Sequence, residues 1–185
     1  MGAYTSSSRG HEYVREVIKN YIEERDGSKV NVDINNIYLT NGASEGVKLA
    51  FKLLLRSEKD GVMVPIPQYP LYSAQLTLDG GTMVKYFLDE TKNWGVDVDD
   101  INYRIHHAKE LGITLRAMVL INPGNPTGNV ITREDIEGII KICHENSMAI
   151  IADEVYQQNI YTEDAPFISV RKVLAEMEPK YRDNV

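Results

Sequence analysis

The sequence predicts an α/β fold, with a mostly parallel sheet flanked by helices. Strand-sized apolar segments alternate with segments of helical periodicity through most of the chain. The apolar runs at residues 61–64 and 117–121 are nearly continuous, which is typical of buried strands. The length of 185 residues corresponds to about one domain.

The first predicted helix covers residues 11–25, where apolar side chains recur at i, i+3, i+4 and i+7 and form one stripe. Asp26 and Gly27 end it. A strand is predicted at 37–40 and is broken by Asn41-Gly42. A second helix follows, because apolar residues from 47 to 54 have helical spacing.

The middle of the chain continues the alternation. A strand at 61–64 is expected to stop at Pro65, since proline lacks the N–H that a sheet needs. A helix is predicted at 71–78, a strand at 82–88 and a helix at 98–111.

The last third begins with a strand at 115–121, which a loop rich in Pro and Gly ends at 122–128. Thr132 with Asp135 resembles a capping box and starts a helix. Its apolar face is formed by four residues: Ile136, Ile139, Ile140 and Cys143. A strand at 148–152 and a helix at 170–177 complete the prediction.

The composition of the chain argues against several classes of protein. With 20 Lys+Arg and 27 Asp+Glu the formal charge is −7, which argues against a nucleic-acid-binding protein. The single cysteine, Cys143, excludes an internal disulfide framework, and the four histidines lack metal-ligand spacing, so no metal is expected. No apolar run approaches the ~18 residues of a membrane helix. We expect a cytoplasmic protein, or a mitochondrial one if a transit peptide precedes this sequence.

Four segments after predicted strands could carry chemistry, because ligands of α/β proteins bind at the carboxyl ends of strands. In the first, residues 42–46, small side chains let backbone N–H groups approach a ligand, and the Ser44 hydroxyl adds a donor at a helix N-terminus. This predicts a phosphate site. The alternative is that Gly42 turns the chain and Ser44 caps the helix.

The second segment, 65–72, places Tyr69 and Tyr72 among prolines, where an aromatic ring could stack on a flat ligand or merely pack in a rigid turn. The third, 122–128, is the most specific signal, because two Asn-Pro pairs make a rigid loop that presents two amides. The fourth begins at Asp153. Its carboxylate follows an apolar strand and needs a cationic partner, unless it caps a helix.

Together these features match a planar, phosphorylated, cationic heterocycle, and pyridoxal phosphate fits that description. Five stretches resemble the class I/II pyridoxal-phosphate aminotransferases of fold type I, and within them the alanine aminotransferases. The stretches are 2–4, 42–44, 65–72, 122–128 and 153–157. The resemblance covers essentially all 185 residues and implies that they are part of the cofactor-binding large domain.

The resemblance also implies roles for individual residues. Tyr69 would stack on the ring, while Ala43 and Ser44 would hold the phosphate. Asn125 and Tyr156 would bind the ring's 3′ oxygen, and Asp153 the pyridinium N–H. Tyr4 would reach a phosphate in the partner subunit of a homodimer.

The implied reaction transfers an amino group from L-alanine to 2-oxoglutarate and gives pyruvate and L-glutamate. No residue of this chain is expected to be catalytic, because the Schiff-base lysine is expected beyond Val185, as is the small C-terminal domain. Most of the N-terminal arm is expected to be missing too. Alternatives are another class I/II enzyme, such as another amino-acid aminotransferase or an aminocyclopropane-carboxylate synthase-like lyase, and a non-catalytic α/β binding protein.

Overall fold

Strands and helices alternate as predicted in the computed structural model, which describes residues 7–27, 29–161 and 165–184, with side chains up to residue 182. The described residues form five strands: β1 (Asp60–Ile66), β2 (Thr82–Asp89), β3 (Gly95–Val96), β4 (Thr114–Ile121) and β5 (Ala149–Asp153). Their order in the sheet is β3-β2-β1-β4-β5. All neighbours are parallel except the β2–β3 pair.

Six α-helices connect or flank these strands in the same residues: α1 (Glu12–Asp26), α2 (Ala43–Leu54), α3 (Leu71–Asp79), α4 (Val98–Glu110), α5 (Arg133–Glu145) and α6 (Val170–Glu176). All six predicted helices are therefore confirmed. The predicted cap of α5 is confirmed as well, since the Thr132 side chain accepts a hydrogen bond from the Asp135 N–H at 3.1 Å. None of these helices is long and apolar enough to cross a membrane.

The core lies on both faces of the sheet, because successive side chains of a strand point to opposite sides. Met63, Met118 and Leu120 pack with α4, α5 and α6 on one face. Val64 and Val119 pack with α2 and α3 on the other. This two-sided burial explains the nearly continuous apolar sequences of β1 and β4.

Two sequence predictions about strands need correction, and one strand was not predicted. Residues 37–40 form no strand. Among the described residues, the only backbone hydrogen bond from this segment to a distant one runs from the Leu39 N–H to the Arg9 carbonyl at 2.9 Å, and a single bond does not make a strand ladder. β1 continues through Pro65, which stays in register with Tyr86 of β2, while the pairing of β1 with β4 ends at Met63. β3 has two residues, too few to show a pattern.

The apolar stripe of α1 also lies differently from the usual amphipathic helix. Val14, Val17 and Tyr21 are exposed, whereas Arg15 and Asp26 are buried. Arg15 Nη1 donates to the Ile34 carbonyl at 2.8 Å, so polar contacts attach this helix to the segment at 30–36. Periodicity predicted the helix correctly but not which face would be covered.

Candidate functional site

Asp153 is the last residue of β5 and lies in register with Ile121, the last residue of β4. Its side chain is half-buried and both carboxylate oxygens have donors. The Tyr72 hydroxyl donates to Oδ2, and the Val155 N–H donates to Oδ1 at 3.2 Å. A turn follows Asp153, so the alternative that it caps a helix is wrong. Each carboxylate oxygen can accept two hydrogen bonds, so the oriented carboxylate can take a further donor.

Tyr72 is the partner that sequence reasoning missed. It lies on α3 with 0 % of its surface exposed, and its ring packs against Phe51 at a centroid distance of 6.5 Å. Burial, reinforced by the hydrogen bond to Asp153, raises the pKa of Tyr72 well above its usual value, so the hydroxyl stays protonated and donates. A buried ring cannot stack on a ligand, and Tyr72 is therefore excluded as the stacking aromatic.

Tyr69 is accessible, in contrast to Tyr72. It lies in the loop between β1 and α3 and is 45 % exposed. Its ring lines neither of the two cavities described next. The structure thus leaves its ring free for a ligand without bringing it into contact with Asp153.

The first of these cavities, the α2–β5 cavity, measures about 370 Å³. Ala43, Gly46 and Val47 line it from α2, and residues 151–155 line it from the end of β5. It therefore brings two of the predicted segments together, the start of α2 and Asp153.

The N-terminus of α2 offers unused donors beside this cavity. Gly42, at φ +83°, is the N-cap, so the alternative in which Ser44 caps the helix is wrong. The N–H groups of Glu45 and Gly46 bond to the Gly42 carbonyl at 3.2 and 3.4 Å. The N–H groups of Ala43 and Ser44 and the Ser44 hydroxyl find no acceptor in the described part of the chain. Free N–H groups at the positive end of a helix favour an anion.

A second cavity of about 310 Å³, the Asn125 cavity, lies beside the loop that follows β4. Asn125 and Tyr156 both line it, and Asn125 Nδ2 lies 3.5 Å from the Tyr156 hydroxyl. These two residues follow different strands, and the tertiary structure brings them together.

The other asparagine of the loop does not face a ligand. Asn122 is 1 % exposed; its Nδ2 donates to the Ile168 carbonyl at 3.3 Å, and its Oδ1 accepts from the Ile131 N–H at 3.0 Å. From the sequence the two amides could not be told apart. In the structure Asn122 stabilises the loop, and of the two it is Asn125 that lines the Asn125 cavity.

The remaining predictions concern a tyrosine, the lysines and metals. Tyr4 lies outside the described residues. Neither cavity has a lysine among its described lining residues, and Lys172 lines a separate cavity beside Ile131 and Phe167. Within the described residues no group of three or more His, Cys, Asp and Glu side chains could hold a metal ion.

Comparison with known proteins identifies the family. A model described as aminotransferase class I and II matches residues 3–181. The chain belongs to this family. Class I and II aminotransferases use pyridoxal phosphate.

Among relatives of this aminotransferase chain, glutamate–glyoxylate aminotransferase 1 of Arabidopsis thaliana is 47 % identical over 100 % of the chain and 38 % of its own length. Alanine aminotransferase 1 of Homo sapiens is 45 % identical over 98 % of the chain and 36 % of its own length. The solved alanine aminotransferase of Pyrococcus furiosus has 29 % identity and a TM-score of 0.79, over 90 % of this chain and 40 % of its own. The chain thus spans between a third and two-fifths of the length of these relatives.

Proposed function

We propose that this chain forms the pyridoxal-phosphate-binding part of an aminotransferase that converts L-alanine and 2-oxoglutarate to pyruvate and L-glutamate. The observation that carries the proposal is the oriented Asp153 carboxylate, which shares a cavity with Ala43 at the start of α2, whose N–H has no acceptor among the described residues. Two relatives named alanine aminotransferase, 47 and 45 % identical to the chain, support the substrate pair.

The donors and acceptors of the chain fit this cofactor. The N–H groups of Ala43 and Ser44 and the Ser44 hydroxyl, which have no acceptor in the part of the chain that the structure describes, suit a phosphate dianion. The Asp153 carboxylate suits a pyridinium N–H. The amide of Asn125 and the hydroxyl of Tyr156 are donors for a ring oxygen, and the exposed ring of Tyr69 is available for stacking.

The bound cofactor supplies an electron sink for bond cleavage at the amino acid's Cα. Asp153 is the chain's main contribution to that chemistry, because an anion beside the ring nitrogen holds a proton on it. Tyr72 fixes the direction of the carboxylate and, staying protonated, cannot take up that proton.

We further propose that the lysine that binds the cofactor covalently lies outside these 185 residues, in a longer protein that also contains the small domain. The absence of lysine from the described lining of both cavities supports this. A homodimer, with Tyr4 reaching the partner's phosphate, and a cytoplasmic location also stay predictions. The mitochondrion is the alternative location, since two Arabidopsis relatives are named mitochondrial.

A second substrate pair has comparable support. Two Arabidopsis relatives named glutamate–glyoxylate aminotransferase are 47 and 48 % identical to the chain. Half-reaction assays of the longer protein with alanine, glutamate, 2-oxoglutarate and glyoxylate distinguish the pairs. Faster turnover with glyoxylate than with 2-oxoglutarate would replace the first assignment by the second.

The cofactor assignment is tested by titrating the 185-residue chain with pyridoxal phosphate in equilibrium dialysis. We expect weak saturable binding that Ser44→Ala and Asp153→Asn each reduce. Asp99→Asn is the matched control, since Asp99 is an exposed carboxylate on α4. No binding by the wild-type chain, or equal binding by all variants, would contradict the proposal.

The location of the lysine is tested separately with borohydride. After addition of cofactor and reduction, mass spectrometry should find no single lysine modified stoichiometrically. Lys172 is on α6 and lines a cavity separate from the one that Asp153 and Ala43 line. One stoichiometric adduct, with alanine-dependent turnover, would place the reactive lysine inside this chain.

A further inference from the structure

Arg25, near the end of α1, is a half-buried cation with partners far away in the sequence. Its Nε and Nη2 donate to the two carboxylate oxygens of Asp26 at 2.8 and 2.7 Å. The guanidinium also covers the ring of Phe167 at 5.6 Å. Its side chain is 17 % exposed. These contacts fix the direction of the remaining nitrogen, Nη1.

That nitrogen reaches both ends of the turn at residues 154–157. Nη1 donates to Gln157 Oε1 at 2.6 Å and lies 3.7 Å from Glu154 Oε2. The turn is closed by the Gln157 N–H, which donates to the Glu154 carbonyl at 3.0 Å. The Tyr21 hydroxyl, also from α1, donates to the same Gln157 oxygen at 3.0 Å. The end of α1 thus clamps the turn.

The clamp also balances charge. Arg25 lies between the carboxylates of Asp26 and Glu154, and both of these are shielded from solvent. Burial raises the pKa of Glu154, while the charge of Arg25 opposes that rise. The other oxygen of Glu154 accepts from the Val170 N–H at 2.8 Å, at the start of α6. Without the cation, two poorly solvated carboxylates would repel each other and loosen the turn.

This turn directly follows Asp153 and contains Tyr156. We propose that Arg25 is a positioning residue of the cofactor site: it fixes the turn at 154–157 and thereby the places of Asp153 and Tyr156. The functional half of this inference rests on the proposed function. The positional half concerns this chain's own backbone and can be tested without cofactor.

The first experiment measures amide hydrogen exchange by NMR on the cofactor-free chain. The probes are the bonded N–H groups of Val155, Gln157 and Val170. Arg25→Met should speed their exchange at least about tenfold, while amides of β4 keep their protection. Arg25→Lys keeps the positive charge but lacks the planar guanidinium that bonds several partners at once, so exchange should speed up by less than in Arg25→Met. Gln157→Leu leaves the Arg25–Asp26 pair intact, so it should speed exchange at residue 157 and leave exchange at Val170 unchanged.

Arg104→Met is the matched control. Arg104 donates to Asp100 at 3.0 Å and covers Phe87 at 5.0 Å, so it loses the same kinds of contact on α4. It should leave the turn's exchange unchanged. An unaltered turn in Arg25→Met, or an equal loss of protection across the whole chain, would overturn the positioning role.

The second experiment compares pyridoxal phosphate affinity and melting temperature of the same variants. Misplaced binding groups should weaken the affinity of Arg25→Lys about tenfold at a nearly unchanged melting temperature. If the wild type binds and Arg25→Lys binds equally well, the inference fails while the proposed function stands. If the wild type does not bind, the proposed function fails, and exchange alone decides whether Arg25 fixes the turn.

Discussion

The loop after β4 and the turn after β5 lie side by side at one edge of the sheet, yet they are held in different ways. The loop at 122–129 has hydrogen bonds of its own beside distant ones. The Gly124 N–H donates to the Asn129 carbonyl at 2.8 Å and the Thr127 hydroxyl to Asn129 Oδ1 at 2.5 Å, while Asn129 Nδ2 donates to the distant Trp94 carbonyl at 2.8 Å. The turn at 154–157 depends on Arg25, 132 residues away from Gln157.

The strands that precede the loop and the turn differ in burial. β4 is buried along most of its length, whereas the equally apolar β5 has only one neighbour in the described sheet and is half-buried. The difference teaches that the two sides of the candidate site have different origins. One is a loop that combines its own hydrogen bonds with distant ones, and the other is a turn that distant side chains hold from outside.

The largest expected effect belongs to the turn side. In the longer protein, Asp153→Asn should lower turnover by at least about a hundredfold, because a neutral amide does not hold the ring nitrogen protonated. The amide oxygen can still accept from Tyr72, so circular dichroism and melting temperature should stay close to wild type. Near-normal single-turnover rates would remove Asp153 from the site.

A substitution in the loop at 122–129 should change the stability of the fold. A Cβ on Gly124 would overlap Asn129 Oδ1 and Thr127 Oγ1, so Gly124→Ala should lower the free energy of unfolding by about 1–3 kcal/mol. Gly138→Ala is the control, because nothing lies near its Cβ position within α5. It should raise stability by about 0.5–1 kcal/mol. Urea unfolding measures both, and equal effects would mean that the loop is not tightly packed.

Tyr69 belongs to neither element, and its replacement tests whether a third strand end joins the site. Tyr69→Ala should weaken cofactor retention by about 1–2 kcal/mol, the scale of an aromatic contact. Dialysis followed by cofactor quantification measures it, with Tyr103→Ala, an exposed tyrosine on α4, as control. If retention is unchanged, the stacking group must come from elsewhere, and Tyr72 is already excluded by burial.

The smallest effect concerns Cys143 on α5, the helix that follows the loop. Burial raises the pKa of its thiol from 9.0 to about 12. Above pH 9 the unfolded chain therefore loses a proton that the folded chain keeps, and stability falls as pH rises. Between pH 8 and 10 this removes about 1.4 kcal/mol. In urea titrations at pH 8 and pH 10, the free energy of unfolding of Cys143→Ala should fall less than that of the wild type, by about this amount. An identical fall in both proteins would mean that burial does not raise the pKa of the thiol.

Much of the fold could be predicted because its signals are local. The periodicity of α2 and α5, the Thr132 cap and the apolar run of β4 each lie within a few residues, and each was correct. The wrong predictions depend on contacts between residues far apart in the sequence. Residues 37–40 have the composition of a strand but no strand ladder, and the apolar stripe of α1 is exposed to solvent.

The sequence by itself determined the order of strands and helices, the family resemblance and the segments that meet at the sheet edge, since each depends on residue types at short spacing. Only the tertiary structure decided which tyrosine is buried against Asp153, which asparagine lines a cavity, and that Arg25 clamps the turn. The physical reason is that a hydrogen bond depends on distance and burial in space. Side chains 81 or 132 residues apart acquire these only when the chain packs.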